Sequence, residues 1–127
     1  MQYVWMLVVA AVVVLGTLLV VSNQAPVDQQ VRITLAEWKI SPNPIELRAG
    51  PARLIVFNMG TKPHALAIID RNRTVLRQLE TIPPGQIRTF LLALPQGEFL
   101  LYDPLFCRDP IRGACEQKTM VSTLIVR

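Results

Sequence analysis

Two hydrophobic patterns divide the chain. Residues 3–21 carry no charge, and only Gly16 and Thr17 interrupt a run of Val, Leu, Ala, Met and Trp. As a helix, this run would rise about 28 Å, close to the roughly 30 Å hydrocarbon core of a bilayer, which predicts a transmembrane helix. Residues 22–30 are polar and contain Pro26, a linker in character. From residue 31 the period changes to two. Val31-Arg32-Ile33-Thr34-Leu35-Ala36-Glu37 alternates apolar and polar, the signature of a half-buried strand. Two prolines break residues 38–44, and Ile45-Glu46-Leu47-Arg48 resumes the alternation. Ala49-Gly50-Pro51 reads as a turn. Further strands are predicted over residues 52–58, 64–70, 74–80, 86–94, 98–102 and 120–126, separated by Gly- and Pro-bearing turns. About eight short strands of this kind predict an antiparallel sandwich or barrel. The division expected is an anchor over residues 1–22, a linker over 23–30 and one β-domain over 31–127.

The apolar run reads as an uncleaved anchor rather than a signal peptide. It exceeds the usual 7–15 apolar residues of a signal, no Lys or Arg precedes it, and Ser22-Asn23-Gln24-Ala25 is a poor cleavage site. Lipid contact is expected through residues 3–21. No Lys or Arg lies in the ten residues after Val21, so the charge rule gives no orientation.

Charge changes the picture little. The thirteen Lys and Arg and nine Asp and Glu all follow residue 22, so the net +4 belongs wholly to the part of the chain after the apolar run. The cluster Asp70-Arg71-Asn72-Arg73 with Arg77 could meet anionic headgroups or an acidic partner, although a solvated hairpin tip is the simpler reading. With no basic helix, no stacking run of aromatics and no zinc-ligand spacing, nucleic acid is not an expected partner.

Pro44-Ile45-Glu46-Leu47-Arg48-Ala49-Gly50, followed by Val56-Phe57-Asn58-Met59-Gly60-Thr61-Lys62-Pro63-His64, is similar to the first half of cupredoxins, the plastocyanin-like copper proteins. Ile82-Pro83-Pro84-Gly85 and Pro95-Gln96-Gly97-Glu98-Phe99 resemble that family's later turns, so the likeness covers about residues 31–126. It implies a Greek-key β-sandwich, all-β apart from the anchor helix. It also implies a copper site of two imidazoles, a thiolate and a weak thioether. His64 falls on the first ligand position and Met120 on the last. The position of the ligand Cys falls on Asp103 and that of the second His near Arg108, and the chain has no other histidine. The resemblance thus implies the scaffold with an incomplete type 1 site, and no metal or other cofactor is expected.

Cys107 and Cys115 flank a polar loop. Outside the reducing cytosol, two cysteines at close spacing read first as a disulfide, which here would contribute about 2.5 kcal/mol by loop closure. The alternative is a soft copper site drawing together His64, Cys107, Cys115 and Met120. His64 also reads as a hydrogen-bonded structural histidine, Met120 as core, Asp103 as a turn residue, and Trp38 and Phe57 as core anchors, with an exposed end of the sandwich as the alternative for Trp38.

No Ser or Cys nucleophile has a credible His partner, no paired carboxylates flank a cleft motif, and no phosphate loop is present, so no catalytic residue and no enzyme are expected. The expectation is a single-span cell-membrane protein with its soluble domain on the extracytoplasmic, periplasmic or extracellular, side. Its role would be that of an accessory or structural subunit of a membrane protein complex, in the setting of electron transfer. The alternative is a copper carrier or electron-transfer cupredoxin using His64, Met120 and the cysteines.

Overall fold

The computed structural model describes residue 27, residues 29–115 and residues 120–127. The expected anchor over residues 1–22 and most of the linker lie outside the described residues. Among the described residues there is no helix, and so none long and apolar enough to cross a membrane.

Alternation becomes structure where it was legible. Strands β1 (Gln30–Ala36), β3 (Ile45–Leu47), β4 (Gly50–Asn58), β5 (His64–Ile69), β6 (Val75–Ile82), β7 (Ile87–Leu94), β8 (Gly97–Tyr102) and β11 (Val121–Val126) fall on the predicted segments. Three short strands are additional: β2 (Lys39–Ser41) and, in the cysteine loop, β9 (Cys107–Asp109) and β10 (Ala114–Cys115). Gly50 and Pro51 belong to β4 rather than to a turn. Gly50 takes a φ of +107°, which a glycine tolerates where other residues are strained.

Nine of the strands form the two sheets of a sandwich, one ordered β2-β1-β4-β7 and one ordered β3-β11-β8-β5-β6, and β9 pairs with β10 in a separate two-stranded sheet. β1 runs parallel to β4 and β3 parallel to β11, while the remaining pairs are antiparallel. Side chains of period two point alternately into and out of this sandwich. Ile33, Leu35, Leu54, Val56, Leu66, Ile68, Leu101 and Leu124 meet between the sheets. Phe57 departs from the expected core role: its neighbours Val56 and Asn58 are buried, so Phe57 stands half-buried on the outer face.

β5 is buried at all six positions, which one sheet face alone cannot explain. Its Leu66 and Ile68 enter the main core, whereas Ala67 and Ile69 join Tyr102 and Cys107 in a second cluster. That cluster lies beneath β9 and β10, so the cysteine loop is a flap folded over the outer face of the five-stranded sheet. Cys107 and Cys115 are joined in a disulfide that closes it.

Candidate functional site

The strand ends gather the candidate residues at one end of the sandwich. His64 opens β5, Asp103 follows β8, Met120 precedes β11, and Glu37 follows β1. The loop that delivers His64 is stapled by Asn58, the fully buried last residue of β4. Its Nδ2 donates to the carbonyls of Lys62 (2.8 Å) and Ile82 (2.9 Å), and its Oδ1 accepts from the Gly60 N–H (2.9 Å).

His64 and Asp103 have no solvent exposure. Nδ1 of His64 lies 2.6 Å from Oδ2 of Asp103. The other carboxylate oxygen accepts the N–H of Leu105 (2.9 Å) and, more weakly, that of Ala65 (3.4 Å). A buried carboxylate is tolerated only when donors surround it, so the Asp103 environment places the Nδ1 proton of His64 in that bond. On the opposite side of the ring, Nε2 faces Oε1 of Glu37 at 3.4 Å. Glu37 is itself held by the N–H groups of Thr61 (2.8 Å) and Lys62 (2.9 Å). Desolvation pushes the Glu37 carboxyl upward, but the N–H groups of Lys62 and Thr61, with help from His64, outweigh it and hold its pKa below the ordinary 4.5. The sole histidine of the chain is therefore clasped between two carboxylates, and its ring packs against Phe106 at 5.2 Å between centroids. Phe106 also meets Trp38 edge-on at 5.0 Å, and the Lys62 ammonium stands 5.0 Å above the Trp38 ring. Trp38 is partly buried at this end, against the core rather than inside it.

The four residues of the soft copper alternative are not drawn together. Met120 is buried in the main core, where its carbonyl accepts the Asp103 N–H at 3.2 Å. Cys107 and Cys115 belong to the flap cluster and are bonded to each other. Arg108 is exposed on β9, and the side chain that reaches His64 from this segment is Phe106. A type 1 centre takes two imidazoles and a thiolate. This chain offers one imidazole, turned at Nδ1 toward a carboxylate, and its two sulfurs of thiolate type are spent on a disulfide. The residues present do not fit that centre. Among the described residues, no group of three or more His, Cys, Asp or Glu could hold a metal ion.

Sequence reasoning singled out His64 and Asp103 separately, by ligand position, without pairing them. It missed Glu37 and Phe106. Glu37 had only its place at the end of an alternating strand, and Phe106 only its nearness to Cys107.

The flap carries its own electrostatic tie. Oδ1 of Asp109 accepts the N–H groups of Ile111 and Arg112, both at 3.2 Å, and Oδ2 lies 3.4 Å from Nε of Arg73. The Arg112 N–H foremost, against an opposing desolvation and with Arg73 in support, holds the Asp109 pKa below the ordinary 3.8. Burial, aided by the Asp109 charge, raises that of Tyr102.

Among solved structures, auracyanin B is similar over 82% of this chain and 92% of its own, with a TM-score of 0.64 at 13% identity. The reduced auracyanin of the photosynthetic bacterium Roseiflexus castenholzii is similar over 80% of this chain and 99% of its own, with a TM-score of 0.59 at 12% identity. A purple cupredoxin from Nitrosopumilus maritimus covers 79% of this chain and is itself covered completely, with a TM-score of 0.55 at 18% identity. At these identities the likeness shows the fold. No curated protein sequence matches the chain. The family model of the cupredoxin-like domain matches residues 7–114, the greater part of the sequence, and the chain belongs to that family.

Proposed function

We propose that this protein is a membrane-anchored, extracytoplasmic cupredoxin-like domain without type 1 copper, serving as a non-catalytic accessory subunit of a membrane protein complex. The observation that carries this reading is the bond between His64 and Asp103. At the place where the family pattern puts a thiolate, a carboxylate occupies the imidazole nitrogen. A buried, fully partnered polar cluster then holds the end of the sandwich together where a metal would otherwise do so. Among the described residues, no buried side-chain nitrogen or oxygen lacks a partner there. The uncharged run over residues 3–21 supports the anchor, and the disulfide supports an oxidising compartment. Membership of the cupredoxin-like family supports the electron-transfer setting.

The copper-carrier reading, with ligands His64, Met120, Cys107 and Cys115, needs free thiolates. The disulfide speaks against it, as does the separation of the flap cluster from the main core.

The test is isolation of the full chain from native membranes in mild detergent, followed by thiol titration and copper analysis after copper addition. Co-purification with other membrane proteins, no free thiol and no stoichiometric copper are expected. Recovery only as an isolated monomer would sink the accessory role. Stoichiometric copper with both thiols reduced would sink the copper-free reading.

A further inference from the structure

All acidic residues of the described chain avoid one of the two sheets. The strands β2, β1, β4 and β7 contain Arg32, Lys39, Arg53 and Arg88 and not one Asp or Glu. Arg88 turns toward Glu80 of β6, with Nε 3.6 Å from the carboxylate, whereas Arg32, Lys39 and Arg53 stand exposed by the alternation of their strands. The described acids lie on β3, β6, β8 and β9 or in loops.

The outer face of this sheet has an apolar centre. The pairing register sets Phe57 opposite Ile87, Ile55 opposite Thr89, and Arg53 opposite Leu91, with Arg32 across from Ile55 on the other side. Ile87 is 55% exposed and Leu91 65%, on an edge strand whose outward positions Ile87, Thr89, Leu91 and Ala93 are all uncharged. Natural edge strands are usually guarded by charge, and an apolar patch with a basic border marks a surface that meets something.

We infer that this four-stranded face lies on the anionic lipid surface of the membrane that anchors the chain, Ile87 and Leu91 entering the headgroup region and Arg32 and Arg53 meeting phosphates. The inference rests on the anchor reading of residues 3–21. Two observations favour lipid over a protein partner. Charge of one sign with no acid interspersed suits a laterally averaged negative plane, whereas a protein partner would be met by a mixed pattern. The chain also enters through this sheet: the carbonyl of Gln29 accepts the Arg53 N–H at 3.0 Å, which fixes the start of β1 at the sheet's end. The eight residues 22–29 can span at most about 28 Å, enough to lay a sheet flat beside its own anchor and too little to lift it far away. A basic, apolar-centred face on a short tether is how interfacial binding gains from anchoring. With that sheet against lipid, the five-stranded sheet and its disulfide flap are turned to the aqueous side, where a partner subunit can reach them.

The test uses the full chain in lipid nanodiscs with its disulfide oxidised. A nitroxide is attached at Thr89→Cys, in the middle of the face, or at Gln78→Cys, exposed on β6 of the other sheet. In discs containing phosphatidylglycerol, the label at 89 is expected to be open to oxygen and shielded from an aqueous nickel chelate, and the label at 78 the reverse. Arg32→Gln and Arg53→Gln should each lower the docked ratio roughly fivefold, and salt of about 0.5 M should lower it in the unaltered chain. Retention by discs of neutral lipid through an alkaline wash reads the anchor separately. A chain that is retained, with its label at 89 as open to the chelate as the label at 78, overturns the docking and leaves the anchor standing. Shielding at 89 that arises only on adding a membrane-protein extract also overturns it, in favour of an acidic protein partner.

Discussion

Nδ1 of His64 sits 2.6 Å from Oδ2 of Asp103, with both side chains sealed from solvent. Removing the acceptor of buried hydrogen bonds leaves each donor unsatisfied at about 1–3 kcal/mol apiece, or about 3–5 kcal/mol for two donors. Asp103→Ala is therefore expected to destabilise the domain by that amount, because His64 and the N–H of Leu105 both lose their acceptor. Asp103→Asn keeps the shape and one acceptor oxygen and should cost less, about 1–3 kcal/mol. Urea unfolding with an unchanged m value is the check. Equal stability of Asp103→Ala and the natural chain would show that the pair does not organise this end.

Much of this architecture was legible, and its failures have physical reasons. Most of the eight predicted strands announced themselves because they bury one face and so repeat with period two; β5 showed instead as an apolar run between turn residues, and three-residue β3 because Ile45-Glu46-Leu47-Arg48 carries its alternation one residue further. β2, β9 and β10 have two or three residues each, too few for a period to register. Phe57 was misplaced because Leu54-Ile55-Val56-Phe57 is apolar throughout and hides which alternate set faces inward. The deciding residue is Asn58, a polar side chain that is buried because it staples a loop. At the site, sequence could mark His64 and Asp103 by position along a family pattern. It could not mark Glu37, which reaches the ring across a separation of 27 residues and a different strand.

Glu37 gives the cluster a pH dependence whose sign is fixed. Its pKa is lower folded than unfolded, so it adds stability that is present above 4.5 and drains away as the pH falls through the lower folded value. Glu37→Gln is expected to melt below the natural chain at neutral pH, with the gap narrowing as the pH falls below 4.5. Thermal melts across that range read it out. A gap of constant size would mean that the carboxylate charge contributes nothing and that only its shape matters.

Gly60 is needed for a different reason from the turn glycines. A Cβ there would collide with the carboxylate of Glu37, which is already committed to the N–H groups of Thr61 and Lys62. Gly60→Ala should therefore expel Glu37 from its place and reproduce the flattened pH response of Glu37→Gln without altering any ionisable group. Asn58→Ala, which removes two hydrogen bonds within the same loop and a third to Ile82 at the end of β6, is expected to cost about 3 kcal/mol in urea unfolding. Retention of the natural pH profile in Gly60→Ala would show that the carboxylate has another route to His64.

The flap makes the last prediction separable from these. The disulfide closes a loop of sequence separation 8, for which the chain-entropy model gives about 2.5 kcal/mol. Yet the strands beneath it are hydrogen-bonded into the sheet on both sides: β5 pairs with β6 and with β8. Reduction should therefore loosen the cover before the sheet. Hydrogen exchange after reduction is expected to speed up over residues 107–115 while the amides of β5 keep their protection and the unfolding midpoint of the sandwich moves little, the lost 2.5 kcal/mol or so falling on closure of the flap. The surface newly opened would be Ala67, Ile69 and Tyr102, an apolar strip that the flap otherwise keeps dry. If exchange instead rises evenly through β5, β8 and β11, the flap is part of one cooperative unit with the sandwich, and the disulfide then stabilises the whole domain rather than a lid upon it.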